Sequence, residues 1–499
     1  MPFENIYQCL IRTLTCCCFS LQLCAQTGNP ASGTLNVPTF PDHSAPRPGI
    51  NAPHEDTLPQ VVINERPAFV VGEIIVTGNK RTKDYVVARE LPFKSGDSIN
   101  LTDLVKQFEI ARQQLINTKL FTEAVVALSA FRGYTVDILI DVKERWYLFP
   151  LPYLKPIDRN LTEWAKQGYG TDRLNYGFKF TQYNFSGRND RLRLWLVTGY
   201  TKQIQFQYDQ PYADRTLKHG YKLGFSYSAN KEVNYATANN QQQFSDSFSG
   251  ITKWSGNVEY NYRPGLRTFH ALRFGFTRMI IDEKIAQLNP KYYHEGVNKI
   301  DIPEISYTLN HFNVDYIPYP LKGWMGEASL LRKGIHPYSE MWQLSTKYNV
   351  SFPLGNKFYF NWQAQGMLRL PFDQPFYNTQ LFGYGDFYLR GLEKYVVDGV
   401  AGAMGRQTLR KQLFDFSLPT FLGSGAHARI PIRIFAKIFT DVGYSLNKNA
   451  RDNSLVNQMM YTTGGGLDLV SFYDFTLRVD YSFNQLGQNG LFLHLKNDF

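Results

Sequence analysis

After Cys24 the sequence contains no further cysteine in a chain of 499 residues. Once the leader that holds Cys9, Cys16, Cys17, Cys18 and Cys24 is removed, no disulfide, thiol nucleophile or cysteine-held metal can form. Beyond that leader no apolar run approaches the ~18 residues that a membrane-spanning helix needs. Catalytic signatures are missing as well: there is no Gly-x-Ser-x-Gly elbow, no phosphate-binding loop and no His-Glu-x-x-His pair. His294-Glu295 is a lone pair in a polar stretch, read as surface rather than as a metal ligand. These absences argue against an enzyme and leave no cofactor or metal to assign. The net charge of +10 is spread along the chain, without clusters of basic and stacking aromatic residues, which argues against nucleic acid.

Aromatic residues, by contrast, are abundant. Phe, Tyr and Trp make up 15% of the chain and hydrophobic residues 43%, so disorder is excluded as the main state. A transmembrane barrel and a large soluble β protein both fit these figures. A barrel satisfies its backbone by strand pairing and needs an apolar side chain only at every second position.

The amino terminus reads as a cleavable signal peptide over residues 1–25. Arg12 lies near its start, a mostly apolar stretch runs from Leu14 to Leu23, and Ala25 precedes Gln26. Leu21-Gln22-Leu23-Cys24 faintly resembles a lipidation site, but Leu23 stands where a small residue is needed. Residues 26–68 are rich in Pro, Asn, Thr and Ser and read as a flexible tether.

Residues 69–146 have the pattern of a compact α+β domain of order β-α-α-β-β. Phe69–Thr77 is strand-like and ends at the turn signal Gly78-Asn79. Thr82 can cap a helix running through Glu90, and Leu101–Ile116 has helical apolar spacing. Val125–Ala130 and Val136–Val142 are the closing strands. A connector is assigned to residues 147–170.

From residue 171 to 499 the alternation has period two. Ile204, Phe206 and Tyr208 oppose Gln203, Gln205 and Gln207; Trp342, Leu344 and Tyr348 oppose Gln343, Ser345 and Lys347. A soluble sandwich alternates similarly, but an aromatic apolar face sustained behind a signal peptide favours a transmembrane antiparallel β-barrel of about 16 strands. Ala229–Gly250 and Asp282–Asp301 read as long extracellular loops.

Several motifs carry a family resemblance. Val71 through Thr82, with Leu120-Phe121 and Ile140 through Arg145, resembles a POTRA domain, the periplasmic module of the outer-membrane protein assembly factor superfamily. Asn184-Phe185-Ser186-Gly187, Asp209-Gln210-Pro211-Tyr212 and Asp315 through Gly323 resemble that superfamily's barrel turns. Leu389-Arg390-Gly391-Leu392 stands where it has (Val/Ile)-Arg-Gly-(Phe/Tyr), and Phe439-Thr440-Asp441-Val442-Gly443 resembles its Phe-x-Asp-x-Gly strand. The chain ends on Phe499, as outer-membrane barrels commonly do.

The resemblance implies a latch, with Arg390 on a loop folded into the lumen and forked onto Asp441. Independently, a lumenal guanidinium keeps its charge and favours a carboxylate partner. The resemblance also implies a seam between a first strand at about Leu174–Thr181 (Leu174, Tyr176, Phe178) and a last strand with Leu491, Leu493, Leu495 and Phe499. It further implies a BamA/TamA-type insertase or polypeptide translocase in the bacterial outer membrane, with its POTRA domain in the periplasm. Expected partners are unfolded outer-membrane or secreted clients, outer-membrane lipids, and periplasmic or lipoprotein accessory subunits. The alternatives are a two-partner-secretion transporter for one polypeptide, against which the single POTRA domain counts, and a passive porin. Leu392 departs from the aromatic end of the motif.

Overall fold

The computed structural model describes residues 68–156, 174–336, 339–419, 429–448, 453–471 and 474–495. The expected signal peptide, nearly all of the Pro-rich tether, and Phe499 lie outside the described residues.

The first part is a small α+β unit. Strand β1 (Ala68–Thr77) is followed by helix α1 (Asp84–Arg89), a short strand β2 (Ser98–Asn100), helix α2 (Leu101–Asn117), and strands β3 (Phe121–Arg132) and β4 (Thr135–Glu144). The sheet order is β2-β1-β4-β3, with β1 parallel to β4. Val86, Val87, Leu104, Ala111 and Leu115 on the helices bury against Ile138, Ile140 and Val142 of the sheet. Helix α1 starts one turn position later than the sequence suggests, with Lys83 as its N-cap. Thr82 instead spends its hydroxyl on Glu144, 2.6 Å away, because that carboxylate also takes the Thr82 and Arg81 amides.

The second part is a 16-stranded antiparallel sheet. Its strands are β5 (Leu148–Pro156), β6 (Leu174–Tyr183), β7 (Arg191–Gly199), β8 (Thr201–Gln210), β9 (His219–Ala238), β10 (Gln241–Tyr262), β11 (Thr268–Ile281), β12 (Lys299–Val314), β13 (Gly323–Lys333), β14 (Met341–Gly355), β15 (Phe358–Leu370), β18 (Ala401–Pro419), β19 (Arg429–Leu446), β20 (Met459–Ser471), β21 (Thr476–Asn484) and β22 (Asn489–His494). The long connection from β15 to β18 holds its own hairpin, β16 (Gln380–Phe382) with β17 (Val397–Asp398). Contacts between distant strands show that the sheet curls into a barrel. The Asn240 amide at the β9–β10 tip donates to Asn453 beyond β19 at 2.8 Å. Ile204 and Phe206 on β8, Trp254 and Val258 on β10, and Phe274 and Phe276 on β11 are 41–55% exposed and form part of the apolar outer face. No helix among the described residues is long and apolar enough to cross a membrane, which says nothing about strands.

Three expectations are corrected here. The stretch read as connector begins with strand β5, so Leu174, Tyr176 and Phe178 lie on the second strand of the sheet rather than the first. Pro150, Pro152 and Pro156 hide β5 from a strand search, since proline is tolerated only where a ladder donor is dispensable. Ala229–Gly250 is not a loop. It is the far half of the β9–β10 hairpin, turning at Asn239-Asn240 with both φ positive. Its strands of 20 and 22 residues outrun the ~9–11 that span a bilayer, and the many Lys, Glu, Asn, Gln and Ser residues of the excess mimic a loop. Asp282–Asp301 holds the short helix α3 (Glu283–Leu288) and gives its last residues to β12.

Candidate functional site

The β15–β18 connection folds back into the barrel, and its tip is Leu389-Arg390-Gly391-Leu392. Arg390 is 5% exposed. Its Nε donates to Asp441 Oδ2 at 2.9 Å, its Nη2 to Oδ1 at 2.5 Å, and its own amide to Oδ2 at 3.0 Å. Nη1 donates to Thr408 at 3.0 Å, and the guanidinium lies 3.9 Å over the Phe439 ring. A forked, desolvated pair of this kind fixes both position and orientation. Arg406 approaches the same carboxylate at 3.8 Å and donates to the Tyr388 carbonyl.

Glycine is required at two places around this tip. A Cβ on Gly391, whose φ is +91°, would stand 2.9 Å from Ser482 Cβ on β21. A Cβ on Gly443 would stand 2.9 Å from the Leu389 side chain. Leu389 and Leu392 bury with Leu381, Phe382, Val397, Met404, Leu455, Val456 and Met460 under the outer loops. The aliphatic Leu392 thus fills an apolar seat without needing a ring.

Residues that no sequence signal marked tie the same loop to the last hairpin, β21–β22. His494 Nε2 on β22 lies 3.3 Å from Glu393, and its ring stacks on Tyr388. Tyr395 donates to Gln488 at 2.8 Å, and Asn484 donates to the Gly391 carbonyl at 2.8 Å.

A second charged group lies along the same wall. Lys437 is held between Asp468 at 2.6 Å and Asp480 at 2.7 Å. The β12–β13 turn reaches into this group from the other end: Tyr319, 1% exposed, donates to Asp468 at 2.7 Å, and Arg410 lies over its ring at 4.4 Å. Tyr319 and Leu321 pack on Phe435 and Val470.

The small domain is fastened to the barrel turns at that end. Glu90 takes two hydrogen bonds from Arg263 and one from the Tyr212 hydroxyl at 2.6 Å. Burial alone would raise the Glu90 carboxyl; the charge and hydrogen bonds of Arg263, helped by Tyr212 and Arg89, outweigh it and hold the group below its ordinary value. Asn117 accepts from the Ile317 amide, and Arg145 pairs with Asp474 at 3.2 Å. Burial also raises Asp474, but Arg145 and Lys119 overturn it and keep it low. Gly78 lets this docked loop form: its φ is +82°, and a Cβ there would sit 1.9 Å from the Val142 carbonyl. Asn79 closes the turn by donating to the Thr82 carbonyl at 2.9 Å.

Leu491, Leu493 and Leu495 on and just beyond β22 point outward, 63–70% exposed. Strands β5 and β22 are the two ends of the sheet, and no ladder joins them among the described residues. No group of metal-binding side chains occurs among the described residues.

Residues 69–145 match the POTRA family (surface antigen variable number repeat), and residues 184–489 match the Omp85 superfamily domain. Among curated proteins, the chain is similar to the outer membrane protein assembly factor BamA of Neorickettsia risticii (strain Illinois), 24% identical over 253 residues. That match covers 50% of this chain and 30% of the relative, so the chain aligns with about a third of that protein's length. Among solved structures, BamA from Haemophilus ducreyi lacking POTRA domains 1–3 is similar at 17% identity and TM-score 0.47, covering 86% of this chain and 83% of that one. CdiB from Escherichia coli is similar at 12% identity and TM-score 0.43, covering 89% and 92%.

Proposed function

The chain belongs to the Omp85 superfamily, and we propose that within it the protein is an insertase or translocase of the BamA/TamA type, acting on unfolded polypeptides at the bacterial outer membrane. The observation that carries this reading is the seam: a periplasmic domain is bolted to a 16-stranded barrel whose end strands share no ladder among the described residues. An unpaired sheet edge recruits extended polypeptide, and the energy comes from the client's own strand pairing. The Arg390–Asp441 latch holds the inserted loop against the wall that leads to the last strand. The docked domain keeps clients on the periplasmic side close to that edge.

The test is insertion of an unfolded outer-membrane barrel client into liposomes, with and without the purified protein. Acceleration that is lost when the small domain is removed supports the reading. No acceleration by properly folded protein moves the assignment to secretion of one dedicated polypeptide.

A further inference from the structure

The apolar outer face is interrupted at Gly256. Outward residues meet in register across β9, β10 and β11, so Gly256 stands between Phe225 and Phe276, with Trp254 and Val258 on either side of it along its own strand. The adjoining row is Leu223, Val258 and Phe274. These side chains are 40–55% exposed and stand up around a position that has none. The nearest atom to a Cβ built on Gly256 is the Gly224 carbonyl oxygen at 4.0 Å, so packing within the wall does not require glycine here. The result is an open apolar groove of ≈ 690 Å³.

Further along β10 the same outward rank reaches Tyr262, opposite His219 on β9 and His270 on β11. Both imidazoles are partly exposed, and their ring centroids lie 5.2 and 5.8 Å from that of Tyr262. The turns at this end carry Tyr212 and Arg263, which fasten the small domain, so the row lies on the small domain's side of the membrane. His219 Nδ1 is 2.5 Å from the Tyr260 hydroxyl, and His270 Nδ1 is 2.8 Å from the Tyr307 hydroxyl. Arg267, in the turn before β11, adds a guanidinium. The Asp214 carboxylate beside His219 is taken up by the amides of Thr216, Lys218 and His219. On the other side of the groove, Arg278 is already forked to Asp301 at 2.6 and 2.9 Å. From Gly256 to Tyr262 the strand rises about 20 Å, which a tilt of roughly 40° reduces to about 15 Å along the membrane normal. That is the depth of one leaflet, half of a hydrocarbon core of about 30 Å.

We infer that this face of β9 to β11 is a binding site for one phospholipid of the leaflet on the small domain's side. With the tyrosine hydroxyls donating to Nδ1, each imidazole carries its proton on Nε2 and presents it as a donor. The phosphate and ester oxygens of the headgroup accept from His219, His270 and Arg267, and Tyr262 packs between the two imidazoles. One acyl chain follows β10 past Val258, and its end fills the gap at Gly256 between Phe225 and Phe276. The site lies away from the two ends of the sheet, and a lipid held there fixes the depth of these strands beside the docked domain.

The test is native mass spectrometry of the full chain released from detergent, titrated with dipalmitoyl phosphatidylglycerol or with dipalmitoylglycerol, which lacks the phosphate. One phosphatidylglycerol should be retained, and the diacylglycerol should bind about tenfold more weakly, the worth of one hydrogen bond to a charged group. His219→Phe with His270→Phe keeps the rings beside Tyr262 but removes the donors. It should weaken phosphatidylglycerol about tenfold and leave the diacylglycerol unchanged. Gly256→Leu should weaken both lipids about tenfold, because roughly two methylenes of chain lose their seat. A heat-modifiable band on a gel checks that each variant is folded. Equal retention of phosphatidylglycerol by the parent and the double histidine variant overturns the assignment, as does unchanged binding in Gly256→Leu. Should the double variant not fold, the parent decides alone: equal affinity for the two lipids overturns the assignment.

Discussion

Glu393, on the loop inserted into the barrel, lies 3.3 Å from His494, on the last strand of the sheet. The loop is therefore attached both to the interior of the wall at β19, through Arg390, and to the strand at the seam, through Glu393. Whatever moves the loop acts on the strand end that the client is proposed to meet.

Replacing His494 by Ala should loosen that strand without unseating Arg390. A partly buried contact of this kind is worth roughly 1 kcal/mol, or about a fivefold change in a local opening equilibrium. Amide exchange at residues 489–495 should accelerate by that factor, with exchange at Arg390 and Asp441 unchanged. Equal acceleration at both places would mean that the loop has no separate hold on the strand.

Arg390→Ala and Asp441→Ala should each destabilise the barrel by about 3–5 kcal/mol, because each leaves a buried charge without its main partner. The double variant should cost clearly less than the sum, with a coupling of about 0.5–3 kcal/mol. Denaturant unfolding in detergent micelles measures all three. Additive costs would show that the two residues act independently.

The fastening of Glu90 to Arg263 should depend on pH in one direction only. The carboxyl is held below its ordinary value in the docked state, so its contribution is fully present above about pH 4.3, the unfolded value. It is lost as pH falls through the depressed value. Energy transfer between dyes on the small domain and a barrel turn should thus stay constant from neutral pH downward and drop only in strong acid. Glu90→Gln should already be loosened at neutral pH and should show no acid transition at Glu90.

Tyr319→Phe keeps the ring beneath Arg410 and against Phe435 but removes the hydroxyl that donates to Asp468. The loss should cost about 1–3 kcal/mol, the usual figure for a buried acceptor deprived of its partner. It should appear as a lower temperature for the loss of the compact, heat-modifiable form on a gel. A variant as heat-resistant as the parent would make the turn a passive plug.

The barrel was legible because period-two alternation persists wherever one face meets lipid and the other the lumen. It failed at the two places where that condition fails. The β9–β10 hairpin outruns a bilayer span, and polar residues interrupt its alternation over Lys231–Gln241. Strand β5 carries prolines that a central strand could not tolerate, and only its place at the sheet's end makes them permissible. At the candidate site, Arg390 and Asp441 were named from motifs with fixed local spacing. Glu393, His494, Tyr319 and Lys437 were not, because their roles arise from contacts between strands distant in sequence, and no local pattern encodes those. Thr82 offered good capping chemistry to α1, yet Glu144, brought alongside by the fold, claimed its hydroxyl.

The wall that holds both charged groups also has electrical consequences. On the loop tip and on β18 to β21, Arg390, Arg406, Arg410, Lys437 and Arg478 are buried with Asp441, Asp468 and Asp480. Five cations there meet three carboxylates, so that side of the lumen carries a positive surplus fixed in place by packing. A surplus of this kind attracts small anions and repels small cations close to it.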